Sequence, residues 1–271
     1  MHDRTIEAGP LPRVRLDVSY DGTDFSGWAV QPGRRTVQGE LETVLSTVLR
    51  LPGVTLTVAG RTDAGVHATG QVAHLDLPTE PAPGLLRRVN RMLARDVRIT
   101  AITSVPAAFD ARFGALWRRY EYVITDAPVG ANPLRRWYVL AWRRPLDDLA
   151  MDAAARRLVG LNDFAAFCKR REGATTVRTL QHFAVRRTGD EIVCTLVADA
   201  FCHSMVRSLV GALLAVGDGR RPVGWPASLL TLAQRANEVT VAPPHGLTLV
   251  EVGYPPDDEL ATRAERTRAR R

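Results

Sequence analysis

Apolar and polar positions alternate from Val14 to Tyr20, and the chain then enters the turn-rich stretch YDGTDFSGW. That pattern predicts a half-buried strand closed by turns. From Thr36, whose hydroxyl suits an N-cap, Val37, Leu41, Val44, Leu45 and Val48 recur at helical spacing. Two alternating runs follow. Val54, Leu56 and Val58 break at Gly60, and Ala73, Leu75 and Leu77 resume past Gly70. Leu85, Leu86, Val89, Met92 and Leu93 mark a second helix, and Val97 to Val105 a fourth strand. The order is β-α-β-β-α-β, ferredoxin-like.

The second half repeats the scheme without repeating the sequence. LWRRYEYVIT and WYVLAW are strand-like, and Leu146 to Val159 reads as a helix. Val177 to Arg186 and Glu191 to Ala198 form a hairpin around RTGD. Met205, Val206, Leu209, Val210, Leu213 and Leu214 make a helical stripe, and Leu247 to Tyr254 a closing strand. The expected class is α+β. Two ferredoxin-like halves, residues 13–110 and 111–255, carry mainly antiparallel sheet and face a cleft, where ligand sites prefer to lie. Residues 1–12 and 256–271 are expected to be flexible ends; ATRAERTRARR is basic and poor in large apolar residues.

Composition places this pattern among ordinary globular proteins. Of 271 residues, 45% are hydrophobic and 24% charged. Met1 to Pro12 has no apolar stretch of signal-peptide type, and the longest apolar run, Leu209 to Val216, is too short to span a bilayer. Cys168, Cys194 and Cys202 cannot all pair and show no C-x-x-C spacing. They read as buried thiols in a reducing cytoplasm. Charge changes the picture more. Lys+Arg 36 against Asp+Glu 29 leaves +7, and Lys169 is the single lysine. Arginine forks suit phosphate, and a basic chain with no membrane anchor has nucleic acid as its leading partner. The arginine-for-lysine skew by itself also fits a GC-rich genome.

Three places carry candidate chemistry. Asp63 stands alone in GRTDAGVH, boxed in by Arg61, Thr62, Gly65 and His67. A loop aspartate commonly caps its own turn; a carboxylate pushed into a cleft is the sharper alternative. His67, His74 and Asp76 compete as metal ligands, but nothing supplies a further ligand at zinc-like spacing. Arg207 falls in the first turn of the predicted helix in FCHSMVRSLVGALL, where the macrodipole disfavours a cation. It is either screened by water or paired with a carboxylate. Tyr120 and Tyr122 share a strand face beside Arg118, an arrangement that can stack a splayed base, although a half-exposed strand tyrosine is common.

Together these stretches resemble the tRNA pseudouridine synthase A family. YDGTDFSGW with TVQGELE is similar to its N-terminal signature, and GRTDAGVHATGQVAH to its catalytic loop. FDARFGALWRRYEYVI, GLNDFAAFCKR, TVRTL, FCHSMVRSLVGALLAVG and APPHGLTLVEVGYP follow in family order, from about Val14 to Pro255. The resemblance implies isomerisation of uridine to pseudouridine at tRNA positions 38, 39 and 40, in the anticodon stem-loop, without metal or organic cofactor. It implies a cytoplasmic homodimer that binds tRNA and no membrane. Asp63 would be the nucleophilic carboxylate, acting on the uracil ring, on the ribose or first on a ribose proton. Tyr120 would stack on the target base and could also handle a proton. Arg207 would hold Asp63 ionised and oriented, and Arg61 would fill the space left by the flipped nucleotide.

The chain departs from the family pattern at Asp110 and Asn162, where histidine is usual, and at Ala29, where glutamine is usual. Asp110 is expected to add negative charge near the RNA path. Two other classes stay in view. A tRNA-binding protein without catalysis would not need Asp63. A nucleotide hydrolase or metal enzyme would need a phosphate loop or ligand cluster that the sequence lacks.

Overall fold

Ten strands form one sheet in the computed structural model, which describes residues 11–169, 173 and 175–269. In chain order the elements are β1 (Arg13–Tyr20), α1 (Val37–Leu49), β2 (Thr57–Val58), β3 (His67–Asp76), α2 (Leu85–Met92), β4 (Val97–Val105), β5 (Trp117–Thr125) and β6 (Leu140–Ala141). Then follow α3 (Asp148–Arg156), β7 (Gly160–Asp163), β8 (Val177–Thr188), β9 (Glu191–Ala198), α4 (Met205–Gly217), α5 (Trp225–Ser228), β10 (Leu247–Gly253) and α6 (Leu260–Ala269). The strand order is β4-β1-β3-β10-β5-β9-β8-β7, with β2 on β3 and β6 on β5. Pairing is antiparallel except at β10·β3 and β5·β6. The fold is mixed α+β, as the patterning predicts.

Periodicity explains most of these elements. Along β1 the buried residues are Val14, Leu16, Val18 and Tyr20, one face of an alternating strand. Thr36 caps α1, its hydroxyl accepting from the Gly39 N–H at 3.3 Å, and the five apolar residues of the stripe are all buried. In α4 every residue except Arg207 is buried. A helix apolar all round is a core helix, so its single charged residue is the exception to be explained.

The two halves join edge to edge. Thr248 and Leu249 of β10 run parallel to His67 and Ala68 of β3, so strands from the start and the end of the chain share one sheet. The DGTDF turn that follows β1 passes close to the residue before β3. A Cβ on Gly22 would lie 2.0 Å from the Val66 carbonyl oxygen, so only glycine permits the approach.

Several expectations change. WYVLAW yields only Leu140–Ala141 as strand, and the Val54–Val58 alternation only Thr57–Val58. The predicted helix from Leu146 starts at Asp148, because Asp147 caps it by accepting from the Ala150 N–H at 2.9 Å. The C-terminal stretch is not a flexible tail. A 3-10 turn at Asp257–Glu259 leads into α6, which buries Leu260 and Ala264, one turn apart. The Arg263 guanidinium donates to the Ala115 carbonyl at 2.9 Å. Residues 1–10, 270 and 271 of the expected flexible ends lie outside the described residues. Nor are all three cysteines free. Cys168 and Cys202 form a disulfide, with Cα atoms 5.8 Å apart, and Cys194 is a buried thiol. Their separation of 34 residues conceals a proximity that the fold creates. Among the described residues no helix is long and apolar enough to cross a membrane.

Candidate active site

The loop between β2 and β3 is fixed through its backbone. The Trp28 N–H donates to the Thr62 carbonyl at 3.1 Å, and the Thr62 hydroxyl is 2.8 Å from the Tyr20 hydroxyl. Gln71 donates to the Gly60 carbonyl at 2.9 Å, and the Arg118 guanidinium to that of Ala59 at 2.9 Å. Gly65 turns the loop at φ +76°, with Pro244 so near that a Cβ would meet its ring at 2.9 Å. The loop therefore holds Asp63 in place without using the Asp63 side chain.

That side chain faces the other half of the molecule. Asp63 Oδ2 accepts from Arg207 Nη1 at 3.3 Å, and Asp63 Oδ1 lies 3.3 Å from His203 Nε2. Arg207 also donates from Nε to the Ala242 carbonyl at 2.7 Å. Arg207 is 19% exposed and Asp63 28% exposed, so the pair is shielded but open to the cleft. Arg207 reaches the carboxylate with one arm, its Nε being engaged elsewhere. The carboxylate sits off the N-terminal turn of α4, which offsets the cost of placing a cation there. Of the two readings of Arg207 the structure favours pairing, and its burial follows from the apolar residues around it in α4.

Asp63 opens on a cleft of about 1260 Å³. Arg61, Arg112, Arg118, Lys169, Arg178 and Arg207 line it, with Asp63 as the acidic group among them. Tyr120 forms part of the wall. It is buried rather than half-exposed, and its ring meets Phe201 edge-on at 5.1 Å. Burial pushes its hydroxyl well above the usual tyrosine range. Tyr122, two positions on, turns inward and donates to the Pro243 carbonyl at 2.8 Å. Arg61 is exposed, and among the described residues it has no hydrogen-bond or ion-pair partner.

The structure thus brings Asp63, Arg207, Tyr120 and Arg61 to one cleft. It does not assemble the metal set. The His67 Nδ1 accepts from the Gly22 N–H at 3.0 Å and Nε2 lies 2.8 Å from the Trp137 carbonyl. His74 Nδ1 accepts from the Ala111 N–H at 3.0 Å, and Asp76 is paired with Arg13 at 2.6 Å. Among the described residues no group of three or more His, Cys, Asp or Glu side chains could hold a metal.

His203 escapes sequence reading, and Arg118, noted beside Tyr120 as part of a base-stacking arrangement, has a different place. His203 precedes the helix by two positions and gains its place from the fold alone. Arg118 is 5% exposed, with no carboxylate in ion-pair range among the described residues. Its guanidinium donates to the carbonyls of Asp199 at 2.7 Å, Ala59 at 2.9 Å and Arg112 at 3.0 Å. It rivets three loops that meet at the cleft. Burial lowers its pKa.

A family model described as tRNA pseudouridine synthase matches residues 154–255. A tRNA pseudouridine synthase A from Frankia casuarinae is 66% identical over 261 residues, covering 96% of this chain and 95% of its own length. One from Streptomyces avermitilis is 57% identical over 267 residues, covering 96% and 94%. One from Mycobacterium leprae is 55% identical over 271 residues, covering 94% and 94%. The chain belongs to the tRNA pseudouridine synthase A family. As a member of the tRNA pseudouridine synthase A family it carries Asp110 in an unexpected setting. Asp110 Oδ1 accepts from the N–H groups of Arg112 and Phe113, each at 2.8 Å, and Oδ2 pairs with Arg268 of α6 at 2.7 Å. Burial opposes the charge, but these donors outweigh it and hold the carboxyl below its usual range. Its charge is therefore taken up by partners within the protein. In this synthase-family chain Asn162 donates to the Leu158 carbonyl at 3.2 Å, and Ala29 packs against the core.

Proposed function

We propose that this chain is an isomerase that converts uridine to pseudouridine at positions 38, 39 and 40 of the tRNA anticodon stem-loop, with Asp63 as the nucleophile. Family membership supports the reaction class. The observation that carries the residue assignment is the Asp63 carboxylate, held by Arg207 at 3.3 Å in a cleft whose other charged side chains are arginines and a lysine. The cations suit phosphate and steer a polyanion to the site. A detached uracil must be retained while it turns from N1 to C5 attachment, and covalent capture by a carboxylate fits that need. Arg207 keeps Asp63 ionised and aimed. Tyr120 offers its ring to the target base, and Arg61, unpaired and exposed, enters the space from which the nucleotide is flipped. The reading needs no metal or organic cofactor.

We further read the chain as a cytoplasmic homodimer with tRNA bridging both copies, and its halves as ferredoxin-like units. The strand orders β4-β1-β3 with β2, and β10-β5-β9-β8, support the last point.

The test is Asp63→Asn, which keeps size and removes the carboxylate. Pseudouridine formation on tRNA transcripts should vanish while tRNA binding survives. Turnover near the parent rate would remove Asp63 from the role. A binding protein without catalysis is the competing class, and an inactive parent chain that still binds tRNA would favour it.

A further inference from the structure

We propose that His203 is a catalytic residue of this reaction, taking the proton from uracil C5 once the new bond between C1′ and C5 has formed. The inference rests on the reading given above and adds a residue that it does not use. At that stage C5 carries both its original hydrogen and the sugar. If Asp63 was on C1′, forming the C1′–C5 bond has displaced it; the C5–H bond then breaks, its pair forms C5=C6 and the C6=N1 pair moves onto N1. If Asp63 is on C6, the same pair forms C5=C6 and expels the carboxylate. Either way the C5 proton needs an acceptor. The ring nitrogen released from the sugar takes up a proton from solvent, so the isomerisation is proton-neutral.

Position follows from Asp63. On the ring route Asp63 holds C6, the neighbour of C5; on the ribose route it has just left C1′, the atom to which C5 is now bonded. A group 3.3 Å from Asp63 Oδ1 is therefore within reach of C5, and His203 Nε2 is such a group. The contact falls short of hydrogen-bond geometry, and the space between the two side chains opens to the cleft that both line. The backbone holds the ring in place. The His203 carbonyl accepts from the Lys169 N–H at 3.0 Å, and the preceding residue is tied to Cys168.

Chemistry removes the other candidates. Arg207 and Arg61 carry no lone pair to accept a proton. Tyr120 is a buried neutral phenol. Asp63 is engaged by the reaction itself: on the ring route it stays bonded to C6 until the proton leaves, and on the ribose route it is the carboxylate just displaced from C1′ and held by Arg207. His203 remains, an imidazole, the side chain most used as a proton shuttle. It is 41% exposed, so it can release the proton to water.

The experiment compares the parent, His203→Gln and His203→Ala on tRNA transcripts carrying uridine or 5-deuterouridine. Melting and tRNA binding of each variant are measured alongside. The expected result is a fall in kcat on the order of 100-fold with KM unchanged. A primary isotope effect from the C5 deuterium should emerge in the variants, and free imidazole should partly rescue His203→Ala. Activity within about threefold of the parent would overturn the proposal. So would a loss with no isotope effect and no rescue, which would leave His203 a structural support. In both cases the active parent would leave the uridine reading standing, whereas a parent inactive on all three uridines would overturn both.

Discussion

Two arginines line the cleft, and they are held in different ways. Arg118 is nearly sealed from solvent and spends its donors on three carbonyls from three loops. Arg207 is 19% exposed, with one carbonyl and one carboxylate. A charge without a counterion, buried among carbonyls, organises backbone, because planar donors can meet several acceptors at once. A charge beside a carboxylate that itself opens on the cleft is arranged to set that carboxylate's state. The same residue type thus builds the wall in one region and pairs with a cleft-facing carboxylate in the other.

The largest expected effect falls on the building arginine. Arg118→Met should destabilise by about 3 kcal/mol, since three buried carbonyls lose their donor. Urea unfolding measures it, and Arg118→Lys should recover only part, because an ammonium cannot span all three loops. A loss below about 1 kcal/mol would erase the contrast between the arginines.

Arg207→Ala should cost far less stability but reduce turnover on the order of 100-fold, through misorientation of Asp63. A double-mutant cycle with Asp63→Asn, read by unfolding, should give a coupling of about 1 kcal/mol, at the upper edge of exposed pairs. Coupling near zero with activity retained would show that the two side chains act independently.

The smallest effect concerns Asp110, whose charge is satisfied by backbone and by Arg268. Its folded pKa lies below the ordinary carboxylate value of 3.8. Its contribution is therefore complete above that pH and lost as pH falls through the folded value. Asp110→Asn should lower stability at pH 7 by about 1 kcal/mol and flatten the acid limb below pH 3.8. Thermal melts at pH 3 and 7 check both, and parallel acid limbs in parent and variant would refute the assignment.

Legibility follows the same division between local and distant causes. The hairpin of β8 and β9, the α1 stripe and the α4 stripe could be read because their periods match burial on one face. α6 could not. Its apolar content is Leu260 and a few alanines, and a helix of that length gains its stability from docking rather than from its own residues. WYVLAW misleads for the opposite reason, since Trp137 and Tyr138 remain partly exposed in a turn region and only Leu140–Ala141 joins β5. Asp63 and Arg207 were identifiable singly, Asp63 from its loop and Arg207 from a cation at a helix start. His203 and Arg118 carry no local anomaly, because what distinguishes them is a partner far away in the chain.

The join between β3 and β10 has a consequence for how a folded RNA is engaged. Asp63 leaves the sheet just before β3, and Arg207 is tied by its Nε to the segment leading to β10, so both stand on one uninterrupted platform. A jaw closes on its ligand; a platform of this kind has no jaw to close, and the spacing of its two charges is set before anything arrives. On the function proposed above, the distortion needed to present a uridine then falls on the nucleic acid, whose stacked nucleotide would leave its helix to reach the carboxylate. Substrates whose loops unstack easily should be the ones such a surface handles fastest.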